Sequence, residues 1–232
     1  MISIPFAGVG GGNVPVSAIQ VKNFAATDYN QENDYDWIMI WDNETCAPKN
    51  FFYCVEDNLG WVDDGFAPME ESYPEGLHAG QCFWYLANSG ADREGPLSIT
   101  IAGQVEGKND VTFDLVSKTA AIENYSMLAN PYPVAWSPNN AEQCVIANFG
   151  ATDYNQENDY DWIMVWDNKI CAPKNFFYCE EDNLGWVDDG FAPLEETFEN
   201  GIPAGNAFWY LANSGVERAG KLSITFFNPL KK

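Results

Sequence analysis

An exact internal repeat constrains this chain more than any other feature. The stretch ATDYNQENDYDWIM occurs at Ala26–Met39 and returns unchanged at Ala151–Met164, an offset of 125 residues. The same offset relates four further matching stretches: Cys46–Cys54 with Cys171–Cys179, Glu56–Pro68 with Glu181–Pro193, Phe83–Gly90 with Phe208–Gly215, and Leu97–Thr100 with Leu222–Thr225. Because a repeat of this length marks a repeated structural unit, both copies should adopt the same fold.

Short apolar stretches separated by turn residues predict an all-β fold. Trp37–Asn43 is apolar on both faces, which is typical of a central strand packed on two sides. The segment VDDGFAP predicts a tight turn with Gly65 at a positive φ. Alternation of Val111, Phe113 and Leu115 predicts a strand between the two copies. No segment has a sustained helical period, and this pattern of strands and turns favours sandwiches or barrels.

The repeat predicts two β-domains related by a pseudo-twofold axis, with residues 1–110 in the first and 111–232 in the second. Each would be a β-sandwich or a barrel-like domain. The N-terminal ISIPF is interpreted as a shortened equivalent of SMLANPYP, because each lies about twenty residues before an Asn-Phe pair. The alternative is one closed unit built from both copies, and the boundary between the domains stays open.

Composition and charge exclude some classes of protein. Apolar residues make up 46% of the 232 residues and aromatic residues 15%, which is ample for a packed core. The formal net charge is −23 with only 11 Lys and Arg, so neither nucleic acid nor an anionic membrane surface is expected as a partner. Membrane insertion is not expected either. No run of residues approaches the roughly 18 apolar residues of a membrane span.

Six cysteines predict a redox state and a compartment. Cys46 with Cys54, and Cys171 with Cys179, fit the two ends of a tight hairpin closed by a disulfide. Buried free thiols and a zinc site are the alternatives, and zinc is the weakest because the only histidine, His78, is not repeated. Disulfides would imply an oxidising, extracellular setting. Whether Cys82 and Cys144, which are not repeated, pair with each other is left open.

The acidic segment of each copy predicts a calcium site. Oxygen-bearing side chains occupy every second position, at Asp28, Asn30, Glu32, Asp34 and Asp36, repeated at Asp153, Asn155, Glu157, Asp159 and Asp161. In an extended backbone several of these oxygens lie on one side, and Ca²⁺ takes six to eight hard oxygen ligands. The segment is not an EF-hand, because Asn33 replaces the invariant glycine and Met39 the bidentate glutamate. The alternative is a solvated acidic loop without a cofactor.

Aromatic and acidic side chains together predict a glycan-binding site. Sugar rings stack on flat aromatic faces while carboxylates and amides hold their hydroxyls. The candidate ligand-binding residues are Tyr29, Tyr35, Trp61, Asp63 and Asp64, with Tyr154, Tyr160, Trp186, Asp188 and Asp189 in the second copy. The remaining matched tryptophans lie in apolar strands and are predicted to be core: Trp37, Trp41, Trp84, Trp162, Trp166 and Trp209.

Catalysis is the less favoured interpretation. The paired carboxylates of the WVDDG turn suggest a glycoside hydrolase, but they occur in a tight turn of a chain rich in acidic residues. A Ser-His-Asp or Cys-His site is disfavoured because the single histidine belongs to one copy only. We therefore predict that the protein is not an enzyme and has no catalytic residues.

Several phrases resemble a loose class of secreted bacterial proteins built from tandem β-repeats. The phrases are DVTFDLVS followed by SMLANPYPVAW, WVDDGFAP, and the stretch ending FWYLANSG. That class carries a connector ending Gly-Asn-Pro, and here Ala129 stands in the place of its glycine. The resemblance implies an exported, non-catalytic protein and supplies no site residues.

These observations predict an extracellular or cell-surface binding module, stabilised by calcium, whose partner is a glycan or another surface component. The alternative is a structural subunit of a surface layer, fibre or adhesin that associates with itself.

Overall fold

The computed structural model describes residues 1–5, 12–43, 45–105, 109–115, 124–167 and 170–231. Within these ranges the regular structure is almost entirely β, which confirms that the fold is all-β. The remaining regular structure consists of two short helices, α1 (Met69–Ser72) and α2 (Leu194–Thr197), and three 3₁₀ turns (Val16–Ala18, Glu56–Asn58 and Glu181–Asn183). No helix among the described residues is both long and apolar enough to cross a membrane.

The strands fall into two sets, which we call the first half (residues 1–105) and the second half (residues 109–231). The first half contains β1 (Ile2–Ser3), β2 (Ile19–Lys22), β3 (Trp37–Asp42), β4 (Ala47–Cys54), β5 (Gly60–Val62), β6 (Cys82–Leu86) and β7 (Ser98–Ile101). The second half contains β8 (Val111–Asp114), β9 (Asn124–Ala129), β10 (Cys144–Ala147), β11 (Trp162–Asp167), β12 (Ala172–Cys179), β13 (Gly185–Val187), β14 (Ala207–Ala212) and β15 (Ser223–Phe226).

Each half contains one five-stranded sheet and one smaller sheet, all antiparallel. In the first half the strand orders are β1-β6-β3-β4-β5 and β2-β7. In the second half they are β13-β12-β11-β14-β9 and β10-β15-β8. Among the described residues every pair of named strands joins strands of the same half, and the predicted strand at Val111–Asp114 belongs to the second. The predicted central strand of each repeat, β3 or β11, is the middle strand of its sheet.

Period-two alternation gives each half its own core. Ile38 and Ile40 of β3 are buried, together with Phe51 and Phe83 on the neighbouring strands. The smaller sheet contributes Ile19 to the same cluster. In the second half the core cluster likewise contains residues of both sheets, so each pair of sheets buries one shared apolar layer.

Strand pairing supports the interpretation of ISIPF as a shortened first strand. Ile2 of β1 lies opposite Phe83, and Leu128 of β9 lies opposite Phe208, the repeat equivalent of Phe83. The two strands therefore occupy the same place in their sheets. However, β1 has two residues and β9 has six.

The two halves meet through tryptophans on the outer faces of their five-stranded sheets. Trp41 packs edge-on against Trp209 with ring centroids 4.8 Å apart, and Trp84 packs edge-on against Trp166 at 5.0 Å. Because Trp166 is the repeat equivalent of Trp41, and Trp209 of Trp84, the two contacts are reciprocal. Met127 is buried in the same cluster.

The first half also covers the free edge of β9. The indole N–H of Trp41 donates to the carbonyl oxygen of Tyr125 at 2.8 Å. The side-chain amide of Asn43 accepts from the Met127 backbone N–H at 2.8 Å and donates to the Met127 carbonyl oxygen at 3.2 Å. These contacts satisfy backbone groups that an exposed edge strand would leave open to unwanted pairing.

The predicted disulfides are wrong. None of the six cysteines forms a disulfide. Cys46 immediately precedes β4 and Cys54 is its last residue, so the two bracket one extended strand instead of a hairpin. Seven residues lie between them, and the eight steps from Cys46 to Cys54 along an extended strand span about 26 Å, whereas a disulfide requires Cα atoms within about 7 Å. Cys171 and Cys179 bracket β12 in the same way, and Cys82 and Cys144 are buried in different apolar clusters.

The predicted positive φ at Gly65 is also wrong. The left-handed residue of this turn is Phe66, at φ 62°. The Oδ1 atom of Asp63 accepts hydrogen bonds from the backbone N–H groups of Gly65 (2.8 Å) and Ala67 (2.9 Å). This carboxylate holds the turn, and the ring of Phe66 packs edge-on against Phe52 at 5.7 Å.

Candidate functional site

A groove on the outer face of the second half is the best candidate for a binding site. It has a volume of about 250 Å³ and is lined by Tyr125, Trp162, Met164, Asn175, Trp209 and Leu211. We call it the aromatic groove. Strand register brings these side chains together: Leu211 lies opposite both Trp162 and Tyr125, and Met164 lies opposite both Trp209 and Asn175. Side chains directly opposite each other on neighbouring strands share one face of the sheet.

The rings of the aromatic groove are held in place by their neighbours. Trp162, which is partly exposed, stacks on Tyr160 with ring centroids 5.2 Å apart and planes 25° apart. The hydroxyl of Tyr160 donates to the side-chain oxygen of Gln156 at 2.9 Å. Trp209 is only 8% exposed and lies edge-on to Tyr125 at 6.1 Å. A rigid aromatic platform beside the single amide of Asn175 can stack a flat, partly apolar ligand and orient one polar group.

The first half repeats most of this arrangement. Trp37 stacks on Tyr35 at 5.1 Å and 23°, and Met39 lies opposite Asn50 and Trp84. Tyr125 has no counterpart in β1, because that strand has only two residues. Among the described residues, this face therefore lacks one of the rings that line the aromatic groove of the second half.

Trp61 and Trp186 were candidate ligand-binding residues, but Trp186 offers almost no ring surface to a ligand. That side chain is 1% exposed and packs in the core against Phe149 and Tyr178. Trp61 is half-buried and packs against Phe24 and Tyr53. The two residues belong to the short edge strands β5 and β13, and both lie on the side of the sheet that faces the core.

The candidate ligand-binding residues Tyr29 and Tyr154 are exposed but lie outside the aromatic groove. The Tyr29 hydroxyl donates to Asp57 at 2.8 Å, and this bond to a carboxylate raises the pKa of Tyr29 to about 12. Tyr154 makes the same contact with Asp182 at 2.9 Å. These tyrosines fix the acidic loop to the following 3₁₀ turn.

The paired carboxylates of the WVDDG turn have different environments. Asp188 repeats the role of Asp63, accepting from the backbone N–H groups of Gly190 and Ala192 at 2.9 and 3.0 Å. Asp64 and Asp189 are exposed to solvent. One carboxylate of each pair is thus engaged in holding its own turn.

The acidic segments contain a buried ion pair that is the same in both halves. Arg93 donates to both carboxylate oxygens of Asp36 at 2.6 Å, and Tyr85 donates to the same carboxylate at 2.6 Å. The backbone N–H groups of Ala25 and Asn88 complete the set at 3.0 and 2.8 Å. Asp161 has the equivalent partners: Arg218, Tyr210, Gly150 and Asn213.

This network shifts the pKa of its members. Burial alone would raise the pKa of Asp36, but the hydrogen bonds from Arg93, Tyr85 and the two backbone amides outweigh it and lower the pKa to about 2. Burial, and then the bond to Asp36, raises the pKa of Tyr85 well above its usual value. Both oxygens of Asp36 are occupied, so this carboxylate serves the fold and has no free oxygen for an ion.

The other predicted calcium ligands lie at the surface. Asp28 accepts from the backbone N–H groups of Asn30 and Gln31, and Asp34 accepts from the Asn88 side chain at 3.0 Å. Glu32 and Asn30 are exposed, and the second copy repeats the turn at Asp153. Within the described ranges no three His, Cys, Asp or Glu side chains form a group able to hold a metal ion.

A larger open cleft of about 440 Å³ lies elsewhere in the second half, beside Trp186. Its polar groups are already paired with one another. Ser137 is hydrogen bonded to Glu195, and Asn139 donates to the same carboxylate at 3.0 Å. Asn139 also bonds the backbone N–H of Trp186 at 2.6 Å. The cleft therefore offers fewer free polar groups than its size suggests.

Two of the predicted ligand-binding residues, Tyr35 and Tyr160, stack on Trp37 and Trp162. These two tryptophans were predicted to be core but are partly exposed. Leu211 and Asn175 were not singled out. The usable signal was position: each tryptophan is the first residue of its strand and directly follows a polar segment, so its ring lies at the end of the sheet.

Comparison with known proteins gives no relative: no protein family, no curated protein and no solved structure matches this chain.

Proposed function

We propose that the protein is a non-catalytic binding module for a glycan or another surface component, with its principal site in the aromatic groove of the second half. The observation that carries the proposal is the partly exposed Trp162, stacked on Tyr160 and bordered by Leu211 and Met164. An exposed, preorganised indole offers a flat face on which a sugar ring stacks at little entropic cost. The amide of Asn175 supplies a donor and an acceptor for ligand hydroxyls.

Two features of the groove favour a small ring ligand. Its volume of about 250 Å³ is below the roughly 300 Å³ at which pockets for drug-sized ligands begin. Its surface is mostly apolar, since a thioether, an aliphatic side chain and three aromatic rings surround one amide. The first half would provide a weaker second site around Trp37.

The reciprocal tryptophan contacts support a pseudo-twofold relation between the halves. In an isologous contact residue i touches j while j touches i, which is what Trp41, Trp209, Trp84 and Trp166 do. We propose that the two halves are β-sandwich domains that pack through this face. An extracellular or cell-surface setting is supported by the resemblance to exported repeat proteins. The cysteines give this setting no support, because they form no disulfides.

The proposal is tested by screening plant, bacterial and host glycans on arrays and affinity gels. We expect wild-type protein to bind at least one glycan class, and Trp162→Ala to weaken that binding by tenfold or more. The matched control is Tyr154→Ala, which removes an exposed ring outside the groove and should leave binding unchanged. Equal binding by wild type and Trp162→Ala, or no binding to any glycan, would reject the proposal.

The alternative, a self-associating structural subunit, predicts assembly instead of glycan binding. Light scattering at high protein concentration separates the two, because a strict monomer under all conditions disfavours assembly.

A further inference from the structure

One wall of the cleft of about 440 Å³ in the second half is formed by a loop that is shorter in the first half. Strand pairing aligns Trp136 with Val14 before this loop, because their two partner residues are repeat equivalents. It aligns Cys144 with Ile19 after the loop for the same reason. Four residues therefore separate the aligned positions in the first half, and seven separate them in the second. We call these seven, residues 137–143, the extended loop.

The extended loop holds the carboxylate of Glu195 at the wall of the cleft. The Ser137 hydroxyl donates to this carboxylate, and the side-chain amide of Asn139 donates to it at 3.0 Å. The loop also packs closely on β13, since a Cβ added at Gly185 would lie 2.4 Å from the Asn139 Oδ1 atom. At Gly60, the repeat equivalent, an added Cβ would meet nothing within 4 Å. The three additional residues of the second half therefore place and hold one carboxylate.

The charge of this carboxylate is not neutralised within the cleft. Ser137 and Asn139 are neutral donors, so their hydrogen bonds orient Glu195 and leave its negative charge in place. Among the described residues that line the cleft, Glu195 is the only charged one. An ionised carboxylate has about four acceptor sites, so the two hydrogen bonds leave acceptor sites for a ligand.

Aromatic side chains line the same cleft. Phe149 and Tyr178 are partly exposed, and their ring centroids lie 4.7 Å apart. The buried side chain of Ile146 adds an apolar contact surface. Phe24 and Tyr53 form the same ring pair at 4.4 Å in the first half, where the loop is shorter. The second half thus combines ring faces, which attract cations, with a carboxylate held in the same cleft.

We propose that this cleft binds a small organic ammonium ion, whose alkyl groups contact Phe149 and Tyr178 and whose charge faces Glu195. Aromatic rings together with a carboxylate suit such a cation, because its charge is spread over an apolar surface. The cleft volume of about 440 Å³ lies within the range of roughly 300–1,000 Å³ that small-molecule sites occupy. The net charge of −23 favours the approach of cations. A bare calcium ion is not the expected ligand, since it needs about six to eight oxygens.

This inference does not depend on glycan binding. The cleft and the aromatic groove share no lining residue. Each site can therefore be tested with its own ligand, and failure of one proposal leaves the other unaffected.

The test titrates choline into the full-length protein and follows two backbone amide signals in NMR spectra, those of Val145 and Gly185, which line the cleft. The second probe is the neutral alcohol in which carbon replaces the choline nitrogen, so that shape is kept and charge is lost. We expect choline to shift both signals and the alcohol to bind about tenfold more weakly, because only the cation is attracted by the carboxylate and the ring faces.

The repeat supplies a matched pair of variants, Glu195→Gln and Glu70→Gln. Glu70 is the repeat equivalent of Glu195, but it is exposed and lies in the half with the shorter loop. We expect Glu195→Gln to weaken choline binding about tenfold and Glu70→Gln to leave it unchanged.

Equal affinity of wild type for choline and for the neutral alcohol would overturn the proposal. It would also be overturned if millimolar choline left the Val145 and Gly185 signals in place, or if wild type and Glu195→Gln bound choline equally. The comparison of the two probes uses wild type alone, so it is decisive even where Glu195→Gln does not fold.

Discussion

At the scale of single residues, Asp36 and its repeat equivalent Asp161 show how a sequence pattern can mislead. Alternating acceptors suggested one function for the whole acidic segment, but Asp36 is the single member that the fold buries completely. It is satisfied by Arg93, which lies 57 residues away along the chain. Such a partner cannot be identified from local spacing, because only tertiary packing brings the guanidinium to the carboxylate.

The lowered pKa of Asp36 predicts a specific loss of stability in acid. The folded-state pKa, about 2, lies below the ordinary value of 3.8, so the stabilisation is fully present above about pH 4 and is lost as pH falls toward 2. Chemical denaturation between pH 7 and pH 2 should show wild type losing about 2 kcal/mol that Asp36→Asn does not lose. At pH 7 the substitution itself should cost about 3–5 kcal/mol, because Arg93 is left unpaired.

The control for this experiment is Asp64→Asn, an exposed carboxylate in the same half. It should keep the pH dependence of wild type. Parallel pH profiles for wild type and Asp36→Asn would contradict the account of the ion pair.

At the scale of elements, strand identity was predictable and strand extent was not. The central strand β3 follows from its apolar residues, whereas CAPKNFFYC gave no sign that it is one continuous strand. Pro48 lies opposite Trp41, where β4 has β3 on one side and β5 reaches only as far as Phe52. A proline is tolerated there because its missing N–H faces no further strand. Cys46 and Cys54 were predicted to lie at the two ends of a hairpin, but they lie at the two ends of one strand, and this excludes a disulfide between them.

The arrangement of β4 and β12 predicts that the purified protein contains six titratable thiols. Thiol titration under denaturing, non-reducing conditions should find all six. Cys46→Ser and Cys171→Ser should each change the free energy of unfolding by less than about 1 kcal/mol, since neither residue is fully buried. Recovery of only two thiols would mean that both strands are broken and disulfide-bonded.

Calcium binding by the acidic segments stays a prediction, but its set of ligands no longer includes Asp36 and Asp161. Asp36 and Asp161 are engaged elsewhere, so an ion would have to use the side chains around Asp34 and Asp159. After chelation, added calcium should raise Tm in wild type and not in the double variant Asp34→Asn with Asp159→Asn. Magnesium is the control, because its small octahedral shell fits such a loop poorly. No calcium-dependent shift in wild type would leave each segment a solvated loop.

At the scale of the whole molecule, the repeat predicts that both halves share a fold, but it does not predict which surfaces of the two halves are in contact. A strand that is apolar on both faces is compatible with a core, an interface or an open groove. The structure uses all three: Ile38 faces the core, Trp41 the other half, and Trp37 partly solvent. Which face is covered depends on the second copy, and a single strand's sequence does not encode that.

Reciprocal contacts between the halves predict matched coupling energies. Double-mutant cycles with Trp41→Ala and Trp209→Ala, and with Trp84→Ala and Trp166→Ala, should each give about 0.5–1.5 kcal/mol of coupling. Trp41→Ala combined with Val145→Ala, on the exposed face of β10, should give coupling near zero. Coupling in one tryptophan pair and none in the other would contradict an isologous interface.

A glycan ligand is expected to bind on the partly exposed tryptophan face and nowhere in the two cores. The most direct measurement is the shift of indole N–H signals in NMR spectra as the tightest-binding glycan from the array is added. We expect the Trp162 signal to move most and the Trp37 signal to move less, while the buried Trp136 and Trp186 signals stay unchanged. A glycan that binds the protein without moving the Trp162 signal would contradict the account.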